Sequence, residues 1–236
     1  MTRPRLLDLF CGAGAVSIGY VEAGWEVVGV DIVDQPSYPF PFIRADALTT
    51  ARLIPLFDAV HASPPCLRDT VLKHAKGAKG DAHPLLIPPT RALLQASGKP
   101  YVMENVMGAA LIDPVVLCGS MFGLGATTSD GTRFHLERHR KFEVNWPLTA
   151  PCRCAHCKPV IGVYGAHVRN RGASAGGRGT RDFIGEDKPR LMREAMGIDA
   201  RYGQTMAEMS QAVPPAYTAH IGRRLLAYLQ AERIAA

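Results

Sequence analysis

The fold is decided near the amino terminus by the stretch RLLDLFCGAGAVSIGYVEAGWEVVGVD, residues 5–31. Its first apolar run, residues 5–10, ends at a glycine-containing turn, residues 11–14, and a helix-like stretch follows at residues 16–23. Residues 26–31 are a β-branched run that ends in an acid. This order predicts a strand, a tight turn, a helix and a second strand, which is how a parallel sheet covered by helices begins.

The same alternation continues through the first half of the chain. Further apolar runs lie at residues 41–43, 57–63 and 99–106, and a helix-like stretch occupies residues 85–96. The runs lack a clean alternation of polar and apolar residues, so both faces of the sheet are expected to be buried. Ligands of such sheets bind at the carboxyl ends of the strands. The residues expected at that edge are Cys11, Asp31, Asp46, Pro64, Pro65, Cys66 and Glu104.

Length and composition narrow the class of protein. The chain has 236 residues and 47% apolar residues, which fits a globular domain with at most a small appendage. No apolar run approaches the ~20 residues that a membrane helix needs, and the amino terminus lacks a secretory signal pattern. The six cysteines have no disulfide-type spacing, which favours reduced thiols. We therefore expect a cytoplasmic protein that does not bind membranes.

The charge is distributed unevenly along the chain. The net charge is +6, yet residues 1–66 carry 4 basic and 7 acidic residues, whereas residues 146–205 carry 10 basic and 5 acidic residues. Within the later region, residues 165–181 contain four arginines and no acid. This distribution indicates an anionic partner that contacts the later part of the chain.

The glycine turn and two acids favour a nucleoside cofactor. Glycine has no Cβ, so the backbone at Gly12 and Gly14 can approach a ligand closely. Asp31 is placed to accept hydrogen bonds from ribose hydroxyls, and Asp46 to accept one from an adenine amino group. The spacing does not match G-x-G-x-x-G, which weakens the case for a dinucleotide. A tight turn without a ligand is the alternative.

Five short motifs follow one another along the chain: DLFCGAG at residues 8–14, SPPC at 63–66, ENV at 104–106, RHR at 138–140, and SQAVPP at 210–215 followed by Ile221-Gly222. In content and order they resemble the motifs of the DNA cytosine-5 methyltransferases. Together they span most of the chain. The resemblance implies an α/β, Rossmann-like fold that uses S-adenosyl-L-methionine and carries a small target-recognition insertion.

The resemblance also implies a division of the chain and a set of cofactor contacts. Residues 1–145 would form the catalytic, cofactor-binding core, residues 146–205 a small basic recognition region, and residues 206–236 helices that complete the core. Two shorter helical stretches, at 190–196 and 206–212, precede the longest helix. The implied cofactor-binding residues are Phe10, Gly12, Gly14, Asp31, Ile32, Asp46, Ala47, Pro64, Gln211 and Val213.

The implied chemistry begins with a thiolate. Carbon 5 of cytosine is a poor nucleophile, so Cys66 would first add to carbon 6 of a base flipped out of the duplex. Glu104 would protonate ring nitrogen 3. Arg140, and with it Arg138, would hold the carbonyl oxygen of the base. A basic loop at residues 67–82 would close over the phosphate backbone.

Each assignment has a simpler alternative. Cys66 alone would be a small buried side chain, Glu104 the end of a strand, and Arg138 and Arg140 a solvated pair. The same chemistry permits an RNA cytosine-5 methyltransferase, and Leu67, where the family usually has glutamine, leaves open a nucleic-acid-binding protein without turnover. The favoured interpretation is a phage or bacterial modification enzyme that acts as a monomer on double-stranded DNA.

A cysteine-rich stretch lies at the entrance of the expected recognition region. Cys152, Cys154 and Cys157, with His156 among them, are weak candidates for one Zn²⁺. The C-x-C spacing is cramped, so reduced loop cysteines without a metal are the default. Cys11 and Cys118 are expected to be ordinary buried residues.

Overall fold

The computed structural model describes residues 3–65, 85–171 and 183–235. The strands are β1 (Arg5–Leu9), β2 (Glu26–Asp31), β3 (Phe42–Arg44), β4 (Ala59–Ala62), β5 (Tyr101–Asn105), β6 (Val115–Leu117), β7 (Gly125–Thr127), β8 (Arg133–Leu136), β9 (Arg140–Val144), β10 (Val160–Tyr164) and β11 (His167–Asn170). The helices are α1 (Ala15–Glu22), α2 (Ile87–Ala96), α3 (Lys188–Met196), α4 (Met206–Gln211) and α5 (Pro215–Ala235). The strands and helices predicted in the first half of the chain are therefore present.

The larger sheet has seven strands in the order β3-β2-β1-β4-β5-β9-β6. The first five are parallel, as predicted, whereas β9 and β6 are antiparallel to their neighbours. The strand order reverses direction between β1 and β4, because the chain moves outward from β1 to β3 and then returns to begin β4. Ligands of α/β sheets bind in the crevice at such a reversal. The carboxyl ends of β1, β2, β4 and β5 all lie on that edge.

Both faces of the larger sheet are buried, as the lack of period-2 polarity predicted. Leu6 packs on one face in a cluster with Tyr217 of α5, and Leu7 packs on the other face in a cluster with Leu94 of α2. Adjacent residues of a strand point to opposite faces, so β1 connects the two halves of the core.

The carboxyl-terminal helix α5 packs closely on α1. A Cβ at Gly19 would overlap the carbonyl oxygen of Pro215 and the hydroxyl of Thr218, so only glycine allows this approach. The Thr218 hydroxyl donates to the carbonyl of Val16 at 2.8 Å. The end of the chain therefore completes one layer of the core.

A second sheet has the order β11-β10-β8-β7, and β10 pairs with β8 in parallel while the other pairs are antiparallel. Leu191 and Met192 of α3 and Met209 of α4 cover it. Its strands come from both sides of residue 146, because β9 returns to the larger sheet between them. The functional division of the chain after residue 145 stays a prediction. Within the described ranges, no helix has the length and apolar character to cross a membrane.

Candidate active site

The turn after β1 has three residues with left-handed backbone angles, and its two predicted cofactor glycines have different surroundings. Phe10 has φ +58°, Gly12 +48° and Gly14 +85°. A Cβ at Gly14 would lie 2.8 Å from the ring of Tyr38, whereas nothing lies within 4 Å of a Cβ at Gly12. Gly14 is therefore required by packing within the protein, and Gly12 faces open space at the edge of the sheet.

Asp31 lies directly beside this turn. Its Oδ2 accepts a hydrogen bond from the amide of Gly12 at 3.1 Å, and its Oδ1 accepts one from the amide of Val33 at 3.0 Å. A carboxylate has about four acceptor positions, so both oxygens retain capacity for a ligand. Ile32, the next residue, is 63% exposed. A hydrogen-bond acceptor and an exposed apolar side chain therefore lie together at the end of β2.

Asp46 caps a short helical turn at the end of β3. Its Oδ1 accepts from the amide of Leu48 at 2.9 Å, as an N-cap residue does. The adjacent Ala47 is buried in the core. The predicted contacts of both residues with a cofactor stay predictions.

Glu104 is buried at the carboxyl end of β5. Arg140, the first residue of β9, forms an ion pair with Glu104, with Nε 3.1 Å from Oε1, because β9 runs antiparallel beside β5. Burial raises the pKa of Glu104, and this effect outweighs the lowering caused by Arg140 and by a hydrogen bond from Ser63. The site therefore holds a carboxyl group with raised proton affinity against a guanidinium group, and its role as a general acid stays a prediction.

Asn105 joins two of the predicted motifs. Its side-chain Nδ2 donates to the carbonyl oxygen of Pro64 at 2.9 Å, and the residue is only 2% exposed. The strand that carries Glu104 therefore holds Pro64 in place. Cys66 follows this segment and lies outside the described residues, as do residues 67–82, so their roles stay predictions.

The side chain of Arg138 has a different environment from that of Arg140. Arg138 is 2% exposed, and its guanidinium group donates to the carbonyls of Val163 at 2.8 Å, Ser210 at 2.7 Å and Ala212 at 3.0 Å. Burial, and to a smaller degree the charge of Arg140, lowers the pKa of Arg138 to about 9, so the group stays charged at neutral pH. Although it was predicted to hold the base with Arg140, this side chain is bound by the backbone of the protein.

The carboxyl-terminal residues predicted to reach the cofactor differ in exposure. Gln211 is exposed at the end of α4, whereas Val213 packs in the core beside α5. Gln204, which the sequence did not single out, donates from Nε2 to the carbonyl of Ala13 in the glycine turn at 2.6 Å. Its position in a loop after α3, far from the turn in the chain, gave no sequence signal for this contact.

The predicted zinc candidates are only partly brought together. Cys154 and His156 lie with Cys118 and His139, and the four ligand atoms are within 4.8 Å of one another. Cys152 and Cys157 are exposed and do not belong to this cluster. Cys118 is buried, as expected, but its sulfur faces His156.

Comparisons with known proteins were made by sequence and by structure. No protein-family model and no curated protein matches the sequence. Among solved structures, the Dnmt2 methyltransferase of S. pombe has a TM-score of 0.64 at 12% identity and covers 97% of this chain and 99% of its own. A protein described as a DNA modification methyltransferase of an E. coli prophage has a TM-score of 0.60 at 14% identity, with 96% and 99% covered.

This chain has the fold of these methyltransferases. A third structure with the same fold is the methyltransferase EhMeth of Entamoeba histolytica, with a TM-score of 0.61 at 10% identity over 97% of this chain and 99% of its own. The likeness extends over nearly the full length of both partners, so it includes the second sheet and the carboxyl-terminal helices. The α/β, Rossmann-like methyltransferase fold predicted from the five motifs is confirmed.

Proposed function

We propose that this protein transfers a methyl group from S-adenosylmethionine to carbon 5 of cytosine in double-stranded DNA. The observation that carries the proposal is the ion pair of buried Glu104 and partly buried Arg140, whose Oε1 and Nε lie 3.1 Å apart beside the Pro64-Pro65 segment that leads to Cys66. A buried carboxyl group whose pKa is raised by burial, next to a guanidinium group, suits a reaction that must protonate one ring atom and hold a carbonyl oxygen.

The crevice at the strand reversal suits the cofactor. The open side of Gly12 admits a ligand close to the backbone, Asp31 offers carboxylate oxygens to ribose hydroxyls, and exposed Ile32 offers an apolar surface to adenine. S-adenosylmethionine, when bound, supplies an electrophilic methyl group. The observed geometry therefore supports the predicted group of cofactor residues around the ends of β1 and β2.

The proposed reaction starts with the thiolate of Cys66, which adds to carbon 6 of the flipped cytosine. Glu104 gives its proton to nitrogen 3, and Arg140 donates to the carbonyl oxygen at carbon 2. Carbon 5, now nucleophilic, would take the methyl group as S-adenosylhomocysteine leaves. Loss of the proton from carbon 5 to a base would then expel the thiolate of Cys66, and nitrogen 3 would return its proton to Glu104, which restores the aromatic ring.

Arg138 acts in this scheme as a positioning residue. Its three bonds to backbone carbonyls connect β10 and the carboxyl-terminal end of α4 to the start of β9, where Arg140 lies. The hydroxyl of Tyr217 donates to the carbonyl of Arg138 at 2.5 Å, which fixes the same point from α5. Arg138 therefore fixes the backbone two residues before Arg140, at the start of β9.

DNA is proposed as the substrate because of the positive charge in the later part of the chain and the similarity to the E. coli prophage protein. Exposed Arg169, on β11, and exposed Arg171, directly after it, belong to the basic part of the chain and would contact phosphates. The E. coli prophage protein is described as acting on DNA and matches nearly the whole chain. We propose that the protein works as a monomer on DNA, as a modification enzyme in the cytoplasm of a bacterial or phage-infected cell.

The test is transfer of a labelled methyl group from S-adenosylmethionine to duplex DNA or to RNA. The wild-type protein should label DNA, and Cys66→Ser should abolish the transfer while Cys157→Ser, an exposed cysteine outside the site, retains it. Transfer of the label to RNA alone would show that RNA, and not DNA, is the substrate. Label on neither polymer would contradict the enzymatic proposal.

A further inference from the structure

Two thiols and two imidazoles from three separate segments converge next to the active site. Cys118 follows β6, His139 directly precedes β9, and Cys154 and His156 lie in the loop between β9 and β10. Each residue offers one ligand atom, and all four atoms lie within 4.8 Å of one another. No contact predicted for methyl transfer uses this group.

The separations fit tetrahedral coordination of one ion. Zn–S bonds of about 2.3 Å and Zn–N bonds of about 2.0 Å place sulfur and nitrogen about 3.5 Å apart in a tetrahedron. Sγ of Cys118 lies 3.6 Å from Nε2 of His156, and Sγ of Cys154 lies 3.5 Å from Nε2 of His139. The pair Cys154 Sγ and His156 Nε2 is closer, at 2.7 Å, and both belong to one exposed loop that can adjust.

Neighbouring groups support the same set of ligands. Nδ1 of His156 faces Oε1 of Glu137 at 3.8 Å, while Nε2 faces the sulfurs. A carboxylate behind the second ring nitrogen is the usual means of orienting a metal-bound histidine. The hydroxyl of Ser120 lies 3.4 Å from Sγ of Cys118 and 3.3 Å from Sγ of Cys154, where it can donate to a thiolate.

We propose that Cys118, His139, Cys154 and His156 bind one structural Zn²⁺. Two thiolates and two imidazoles are a donor set that zinc prefers, and four protein ligands leave no position for a substrate. The proposal differs from the ligand set suggested by the sequence, because Cys152 and Cys157 lie outside the cluster.

The position of His139 indicates what the proposed zinc site contributes to the fold. His139 stands between Arg138, which is bound by three backbone carbonyls, and Arg140, which pairs with Glu104. A metal held there ties the loop between β9 and β10 and the residue after β6 to the start of β9. The ion would therefore stabilise the junction of the two sheets.

The first test is the zinc content of the full-length protein purified without chelators. We expect about one equivalent per chain in the wild type, and loss of most of it in Cys118→Ser, Cys154→Ser and His156→Ala. Cys152→Ser and Cys157→Ser are matched controls, since they remove nearby thiols outside the cluster, and they should retain the metal. Zinc below about one-tenth equivalent in the wild type, even after incubation with Zn²⁺, would overturn the proposal.

A second measurement begins with the wild-type protein, so its first outcome does not depend on whether a variant folds. Cobalt(II) bound to the wild-type protein should give the intense visible bands of a tetrahedral ion and a thiolate-to-cobalt charge-transfer band in the near ultraviolet. The spectrum of an octahedral ion without the charge-transfer band would overturn the proposal. So would equal loss of the tetrahedral spectrum in Cys154→Ser and in Cys157→Ser.

Discussion

Asn105 donates a hydrogen bond from its side-chain Nδ2 to the carbonyl oxygen of Pro64 at 2.9 Å. This bond connects the end of β5, where Glu104 lies, to the segment that precedes Cys66. One buried amide therefore links the residue next to the proposed acid Glu104 to Pro64, although Pro64 and Asn105 lie 41 positions apart in the sequence.

Replacing Asn105 with alanine tests this connection. Asn105→Ala leaves a buried carbonyl without its donor, which costs about 1–3 kcal/mol of unfolding free energy. We expect kcat to fall at least tenfold while the affinity for S-adenosylmethionine changes little, because the glycine turn is untouched. Single-turnover methyl transfer and calorimetric binding of the cofactor separate the two effects.

The control for Asn105→Ala is Asn145→Ala, which removes two side-chain bonds to the backbone at the opposite end of β5. Asn145 is remote from Pro64, so this variant should lose stability without a selective loss of kcat. An equal drop of kcat in both variants would show that stability, and not the position of the Pro64 segment, controls the rate.

The pair of Glu104 and Arg140 predicts a pH dependence. Burial raises the pKa of Glu104, so the carboxyl group stays protonated to a higher pH than an ordinary glutamic acid, and activity should fall as pH rises through that pKa. The charge of Arg140 lowers the same pKa. Arg140→Met should therefore move the fall in activity, the alkaline limb of the pH profile, to higher pH while reducing kcat.

Glu104→Gln provides the matching variant, since it retains the shape of the side chain and removes its titration. We expect kcat to fall by about 10²–10⁴ and the limb to disappear, with cofactor affinity unchanged. If the fall in activity persists at the same pH in Glu104→Gln, a group other than Glu104 causes it.

The buried Asp8 predicts a pH dependence of stability. Burial, opposed by the hydrogen bond from Ser17, raises the pKa of Asp8 from 3.8 to about 7. Its contribution to stability is complete below pH 4 and is lost as pH rises through about 7. A shift of about 3 pH units corresponds to an upper limit of about 4 kcal/mol.

Asp8→Asn removes this titration while retaining the shape of the side chain. The difference in unfolding free energy between pH 5 and pH 8 should shrink in Asp8→Asn, as measured by urea denaturation. The exposed Asp34 supplies the control, and Asp34→Asn should follow the wild type. An unchanged pH dependence in Asp8→Asn would contradict the assignment.

The two glycines of the turn should respond differently to alanine. Gly14→Ala places a methyl group against the ring of Tyr38 and should lower the melting temperature markedly. Gly12→Ala meets no atom of the protein, so its cost is the strain of a positive φ, about 1 kcal/mol. Calorimetry should show that Gly12→Ala folds but binds S-adenosylmethionine at least tenfold more weakly; unchanged affinity would place the cofactor elsewhere.

Much of the larger sheet could be predicted from the sequence, because its parallel strands are mostly apolar runs, and β4 and β5 are buried along their whole length. The antiparallel strands β6 and β9 and the second sheet were not predicted. Their strands are only three to five residues long, and some mix polar with apolar residues, as in RFHL at β8 and RKFEV at β9. Such short segments take their structure from neighbouring strands, which a local pattern does not reveal.

The candidate site was predicted as a set of motifs, but not as a set of contacts. Arg138 and Arg140 look equivalent in the sequence, yet β9 begins only at Arg140, so the two side chains do not share one strand face. The ligand cluster was missed because Cys118 and His139 are distant in the chain from Cys154. Only the antiparallel return of β9 brings these residues together.

The central claim is that Cys66 forms a covalent bond to cytosine. It is tested most directly by incubating the protein with S-adenosylmethionine and duplex DNA that contains 5-fluorocytosine, since fluorine at carbon 5 blocks the final elimination. We predict a denaturation-resistant protein–DNA complex that maps to Cys66 and is absent in Cys66→Ser. A complex that forms equally in Cys66→Ser, or that maps to another residue, would contradict the mechanism.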